Sequence, residues 1–423
     1  MKNPSTPSYW SLVWQRFQKN RGAKWSFRVF IALLWIALLN PFIAGDVPIF
    51  TKIKGESSFP IFKQYLIDLG LTAKTGKYLD PSSWHETQYD QAIFPIIPYS
   101  ANYRDTDNIH FKSPFGPQTM KRGQAWHWLG TDKLGKDVAA GIIGGIRVAL
   151  KVGLISMLIA TLIGLFMGGL AGYFGDDGLR LPIVTIALNL IALFFAIHFA
   201  FISRSYQLSL KDADGELLKS CLIFIITIAC FNVLAKLLLY LPAFKKAITL
   251  PLDMLVMRLI EVLNAVPGLL LIIAFSAIFS TKTLWPIILI IGFLSWTGIA
   301  RFFRGELLKV RNMEFIQASR ALGYSDWRIL FKHALPNAIG PVIILVAFGI
   351  ASAILTEAAL SFLGIGITED IQVTWGTMLK VRSNGANWWM SIFPGLAIFV
   401  TILTFNLIGE GLKDAIDAKD LVD

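Results

Sequence analysis

Apolar residues along this chain gather into runs near 27–44, 146–170, 181–202, 217–241, 256–279, 284–300, 339–363 and 389–408. Each is close to the ~20 residues that a membrane-spanning helix needs. The pattern predicts an all-α polytopic membrane protein of about eight spans. Polar stretches divide them: a lead over 1–27 before a first helix over 28–45, a long segment over 46–140, a loop over 301–337 and a tail over 414–423. The segment 46–140 is rich in Pro and aromatic residues (Trp84, Tyr89, Tyr99, Tyr103, Phe111, Phe115), with weak periodicity. At that length it is expected to pack as a small cap or to lie across the membrane face. Its length exempts it from charge counting.

Charge then orients the spans. Lys2, Arg16, Lys19, Arg21, Lys24 and Arg28 stand in the lead with no acid among them, which predicts a cytoplasmic N-terminus. An even span count returns the C-terminus to the same side. It also places Arg301–Lys332 inside, where seven Lys/Arg face three acids (Glu306, Glu314, Asp326), together with Lys245 and Lys246. Asp212, Asp214 and Glu216 against Arg204 and Lys211 fall outside. The net charge of +11 is thus read as topology, not as nucleic-acid binding. The 55% hydrophobic content, with charged residues at 16%, excludes an ordinary soluble domain. The long basic-aromatic lead, without a small-x-small cleavage site, favours a retained first anchor over a secretory signal.

Within the loop, Phe315, Ala318, Ser319 and Leu322 recur at i, i+3, i+4 and i+7 on one small, apolar helix face. Gly323 stands where that helix would stop, and Ser325 where the next would be capped. A short helix parallel to the membrane suits passing force to a soluble partner; an ordinary interhelical loop fits the spacing equally well. Gly164, Gly168 and Gly172, each four apart in the second span, form a small-xxx-small packing face whose neighbour is open.

Candidate chemistry is sparse. Gly130-Thr-Asp-Lys-Leu-Gly135-Lys136-Asp137 approaches a phosphate-binding loop, but Asp137 replaces the magnesium-binding hydroxyl. Asp132 and Asp137 would repel phosphate, and no apolar strand precedes the segment. It reads better as a turn in which Asp137 caps the next helix or lies in its first turn. The histidines (His85, His110, His127, His198, His333) show no ligand spacing, and Cys221 and Cys230 lie in one apolar run without a framework. Glu357 is the conspicuous intramembrane charge, read either as a pore-lining or gating contact or as a member of a packing network. Arg258 and Glu261, three apart, are expected to form an interfacial ion pair.

Three separated motifs then resemble one family. His127-Trp-Leu-Gly-Thr-Asp-Lys-Leu-Gly-Lys-Asp-Val138, continued by Gly145-Ile-Arg-Val-Ala-Leu150, is similar to an external motif of peptide and nickel ABC importer permeases of the second-permease type. Phe315–Asn337 resembles their "EAA" loop, with Ala318, Ser319, Gly323, Leu335 and Pro336 at its key positions. Leu355–Gly364, Trp375-Gly376, Phe393–Ala397 and Asn406–Leu412 resemble the last two spans. The resemblance covers about 126–175 and 252–416. Two departures stand out: about seventy-five residues between Gly175 and Asp253, and a long segment over 46–125.

The resemblance implies a type I ABC importer transmembrane fold, with a six-helix core over 141–413 and an inserted two-helix hairpin over 178–250. It implies a bacterial inner-membrane permease without its own ATPase site and without a bound cofactor or metal; ATP and magnesium would sit on two cytoplasmic ATP-binding subunits. A homologous second permease and an extracytoplasmic substrate-binding protein would complete the assembly. Phe315, Ala318, Ser319, Leu322, Gly323 and Pro336 would couple to the ATPases. Di- or oligopeptides are the expected substrates, with nickel or another small solute as rivals. A single-chain secondary transporter or channel is the rival class, and it would need coupling carboxylates in several spans.

Overall fold

Asn20 divides the N-terminal amphipathic stretch in two. Helix α1 (Tyr9–Lys19) ends before it, and its side-chain oxygen accepts the Ala23 N–H at 3.1 Å, capping α2 (Arg21–Leu38). The chain is seen in a computed structural model that describes residues 9–53, 55–68, 84, 89–120, 125–204, 206, 213–278, 283–367, 372–380 and 387–417. His85, Lys211 and Asp212 lie outside the described residues, as does the Asp214 side chain.

Among the described residues, six helical stretches are long and apolar enough to cross a membrane, or seven if one bent pair is a single span. The expected count of about eight differs from these six or seven at two helices. Helix α2 starts within the basic lead, so Arg21, Lys24 and Arg28 occupy its first turns, and Pro41 follows it in the short α3 (Asn40–Ile43). The run 256–279 is interrupted: α8 (Leu252–Asn264) and α9 (Gly268–Ile278) meet at a bend of 80°. Pro267, lacking an N–H, stands in the break and explains it.

Between α3 and the first long span, three short strands form an antiparallel sheet in the order β2-β1-β3: β1 (Phe50–Ile53), β2 (Glu56–Ser58) and β3 (Gln91–Ile93). Helix α4 (Pro60–Asp68) lies between β2 and β3 in sequence, and Val47, Ile61 and Trp84 form a small core there. These strands and this core lie within the long polar segment. Helix α5 (Val138–Gly169) begins well before the apolar run at 146, because the small residues of its first turns are helical too, and it continues through a π turn at Leu170–Phe174.

The remaining long helices are α6 (Ile183–Ile197, extended by a π turn to Ile202), α7 (Ala213–Leu238), α10 (Leu284–Val310), α14 (Gly340–Phe362) and α16 (Trp389–Ile416). Three short helices, α11 (Glu314–Ala321), α12 (Asp326–Ile329) and α13 (Leu335–Ala338), lie between α10 and α14. Helix α15 (Trp375–Lys380) lies between α14 and α16. Helix α10 runs nine residues past Arg301, so the polar loop proper starts at Arg311.

By contacts the chain divides into 1–166 with 262–423, and 167–261. In the first unit α16 packs on α1, α2, α14 and α15, and α10 packs on α9, α13 and α14. Phe17, Ala23, Ala347 and Ile408 share a core there, and a Cβ at Gly411 would collide with Ala23. Gly164 touches α10: a Cβ would stand 2.7 Å from Ile299 Cγ2, so its packing neighbour belongs to this chain. Gly153 is held against Ile350 and Ile354 in the same manner. Gly168 and Gly172 are also buried, Gly172 within the π turn.

The second unit holds the hairpin of α6 and α7, joined by reciprocal Asn189–Asn232 hydrogen bonds of 3.3 and 3.0 Å. Its base is closed by antiparallel β4 (Arg180–Pro182) and β5 (Ala247–Thr249), and the Leu250 N–H bonds the Leu179 carbonyl at 2.9 Å. Arg258 and Glu261 form the expected i,i+3 pair at 2.7 Å, exposed enough to contribute little.

Candidate functional site

Two polar regions in the first unit carry the informative geometry. The first is the turn between Asp105 and Asp137. Asp137 caps α5, its Oδ1 accepting the Ala140 N–H at 2.6 Å. Its Oδ2 lies 2.7 Å from His127 Nδ1, while His127 Nε2 lies 3.1 Å from Asp105 Oδ2. Both ring nitrogens thus face carboxylates, an arrangement that only the imidazolium, donating from both, can satisfy. All three side chains are buried, at 1% exposure for His127 and both acids.

Burial alone would depress the His127 pKa, but hydrogen bonds to Asp105 and Asp137 and their charges push it up to about 9. Burial likewise opposes ionisation of Asp105, yet bonds from His127, Asn108 and the Asp107 N–H hold its carboxyl below the usual range. Tyr99 stacks on the imidazole at 4.4 Å and bonds Ala125 through its hydroxyl, and burial pushes its phenol up. The sequence put His127 among scattered histidines. Its partner Asp105 lies 22 residues earlier, a relation that spacing cannot reveal.

The phosphate-loop look-alike is closed within this turn. Asp132 Oδ1 accepts the N–H groups of Leu134 and Lys136 at 2.7 and 2.8 Å, so donors a phosphate would use are already taken. Gly135 sits at φ +80°, where a Cβ would collide with the Asp105 carbonyl. Two tryptophans from the C-terminal part of the chain meet the same region. Trp389 Nε1 donates to the Thr131 carbonyl at 3.3 Å, and Trp375 Nε1 to the Ile142 carbonyl at 3.0 Å. Gly145 leaves the space that the Trp375 indole fills.

The second region is the loop from Arg311 to Asn337. Helix α11 ends in a Schellman arrangement: the Tyr324 N–H bonds the Ser319 carbonyl at 3.3 Å and the Gly323 N–H bonds the Arg320 carbonyl at 2.9 Å. Gly323 takes φ +76°, the left-handed conformation that a glycine supplies at low cost. Ser325 occupies the cap position of α12, but its side chain makes no capping bond; its carbonyl accepts from Ile329 instead.

The loop has two faces. Ile316, Ser319, Ile329, Leu330 and Ala334 are buried. Phe315, Leu322, Trp327 and Phe331 are exposed, Leu322 at 72%, and so are Ala318 and Pro336. Ser319 therefore does not share the open face with Phe315, Ala318 and Leu322. It turns inward beside Ile316, and its hydroxyl donates to the Phe315 carbonyl at 2.7 Å. Arg328 lies 4.4 Å over the Tyr324 ring, and Trp327 stacks on Phe331 at 5.9 Å. Large apolar side chains standing open on a basic loop mark an interaction surface more than a finished one.

Glu357 is 2% exposed on α14, accepting from Ser361 Oγ at 2.8 Å and bonded to the Thr374 hydroxyl just before α15. A Cβ at Gly376 of α15 would collide with the Ala358 carbonyl, so the two helices are in close contact here. These hydrogen bonds tie Glu357 to the segment that leads into α15. Among the described residues no group of three His, Cys, Asp or Glu could hold a metal.

Comparison with known proteins agrees with this construction. Residues 247–419 match the family described as binding-protein-dependent transport system inner membrane component. Residues 8–56 match the N-terminal TM domain of oligopeptide transport permease C. The chain is 30% identical over 327 residues to the glutathione transport system permease protein GsiD of Pectobacterium atrosepticum, covering 77% of this chain and 80% of that protein. It is 30% identical to the dipeptide transport system permease protein DppC of Bacillus subtilis over 69% of each chain. The inner membrane ABC transporter permease protein YejE of Escherichia coli aligns at 26% identity over 97% of both chains, so both added segments fall within a full-length match. The chain, with its apolar helices and open basic loop, belongs to the binding-protein-dependent transport permeases, the inner-membrane components of ABC importers.

Proposed function

We propose that this chain is one half of the pore of a peptide importer, driven through the loop 311–337 by separate ATP-hydrolysing subunits. The observation that carries the reading is the two-faced loop: Ile316 and Ile329 root it, while Phe315, Ala318, Leu322, Trp327 and Phe331 stand open around the Gly323 turn. An ATPase that closes on ATP would pull on that open face, and buried roots would pass the displacement to α10 and α14. Two such ATPases, a homologous second permease and an external binding protein complete the assembly. ATP and magnesium sit on the ATPases.

On this reading the loop and both termini face the cytoplasm, in agreement with the basic residues in the lead and in the loop. The peptide class rests on the relatives, whose printed names include dipeptide, oligopeptide, glutathione and peptidoglycan transport permeases. Purifying the tagged chain from its native membrane in mild detergent tests the proposal. Two ATPases and a second permease should come with it in fixed ratio; recovery of a stable, transport-competent single chain would overturn it.

A further inference from the structure

Arg147, nine residues into α5, carries the third motif residue of Gly145-Ile-Arg147 and has no place in the reading above. It is half-buried, and among the described residues it makes no hydrogen bond or ion pair. It lines a cavity of about 280 Å³ with Asn40, Asp46, Asn102, Gly144 and Gln372. A guanidinium in an apolar span is expensive and is normally matched by a partner. Here the surroundings are uncharged amides and one carboxylate, Asp46, which accepts from Ser100 Oγ at 3.0 Å.

The position is consistent with access from outside the hydrocarbon. At 1.5 Å per residue, Arg147 lies roughly 14 Å along α5 from Val138. The stretch Val138–Phe174 has 37 residues, well beyond the ~20 that span the core, and its apolar run begins only near 146, beside Arg147. Space exists because Gly144 has no side chain: a Cβ there would meet the Ala101 methyl at 3.0 Å.

We propose that this cavity binds one singly charged anionic group, a carboxylate or a phosphodiester, on the Arg147 fork, with the Asn102, Asn40 and Gln372 amides as auxiliary donors. A guanidinium presents paired N–H groups to two oxygens at once, the geometry both anions share. Asp46 in the same cavity opposes a dianion. Two sources carry that chemistry: the free C-terminus of a short peptide, and a phospholipid headgroup. The peptide source rests on the proposed import of peptides; the anion site itself does not.

The test uses the whole transporter, copurified with its partners, in lipid-depleted maltoside micelles to which the lipids are added. Its apparent melting temperature is followed against trialanine, trialanine amide, and a rising fraction of phosphatidylethanolamine or phosphatidylglycerol. A ligand that binds only the folded state raises that temperature by mass action. Wild type and Arg147→Lys should respond to trialanine but not to its amide, or to one of the two added lipids; the responding probe names the source. Arg147→Gln should need about tenfold or more of that probe for the same rise, as expected for a lost charge-assisted pair. Equal responses of wild type and Arg147→Gln to every probe would overturn the site. Comparing ligand-induced shifts keeps any basal loss in Arg147→Gln from counting. Substrate-stimulated ATP hydrolysis by the wild-type complex, measured in parallel, reports on the importer reading separately.

Discussion

The turn 105–137 and the loop 311–337 are both polar stretches adjoining long apolar helices, yet they treat their side chains in opposite ways. In the turn, Asp105, His127, Thr131, Asp132 and Asp137 are buried and bonded to one another or to nearby backbone. In the loop, Phe315, Leu322, Trp327 and Phe331 face outward, and only a narrow face under Ile316 and Ile329 is closed. A polar region that satisfies itself is a structural lock. One that leaves large apolar groups open is completed by something else.

The largest test of that contrast is His127→Ala. It removes the cation between two buried carboxylates and should destabilise the chain by about 3–5 kcal/mol, read as a large fall in apparent melting temperature in detergent. A fall no greater than that of a surface substitution would break the idea of a lock. The second test is pH. The folded pKa of His127, about 9, is raised above the ordinary 6.5, so its contribution is complete below about pH 6.5 and is lost as pH rises through 9. About 3 kcal/mol should disappear across that window. Asp105 acts oppositely, its contribution holding above its ordinary 3.8 and failing as pH falls. A wild-type melting temperature that stays flat between pH 6 and 9.5 would contradict the bridged imidazolium.

On the other region, Gly323→Val forces a β-branched residue into the left-handed conformation, at roughly 1–2 kcal/mol. The open surroundings of Gly323 localise the strain. Membrane insertion should persist while substrate-stimulated ATP hydrolysis by the assembled complex is lost; normal stimulation would remove the coupling role. The smallest effect on stability is expected for Ala318→Asp, within about 0.5 kcal/mol, with ATPase recovery on copurification falling severalfold. Ser319→Ala, facing inward, should leave that recovery unchanged. Equal effects of the two changes would erase the two-faced description.

The membrane class and the long spans were legible because run length alone decides them in lipid. The break at Pro267 was written in the sequence too, but counting apolar residues passes over a single proline. Helix α2 carries basic residues in its first turns, so apolar length alone does not decide it, while residues 8–56 match an N-terminal TM domain. Ser319 shows the limit of a helical wheel. At 100° per residue it stands about 40° from Phe315 and about 60° from Ile316, so the direction of the core, not spacing, assigns its face. The Asp137 cap could be read locally, whereas the Asp105–His127 contact closes a long loop and could not.

The paired strands at residues 180–182 and 247–249 bear on how such a chain grows. With Leu179 and Leu250 joined by one hydrogen bond, everything between them leaves the main path and returns to its starting point. A detour with coincident ends can be lengthened, trimmed or replaced without re-aiming the helices that follow. The family match over residues 247–419 begins where that detour closes.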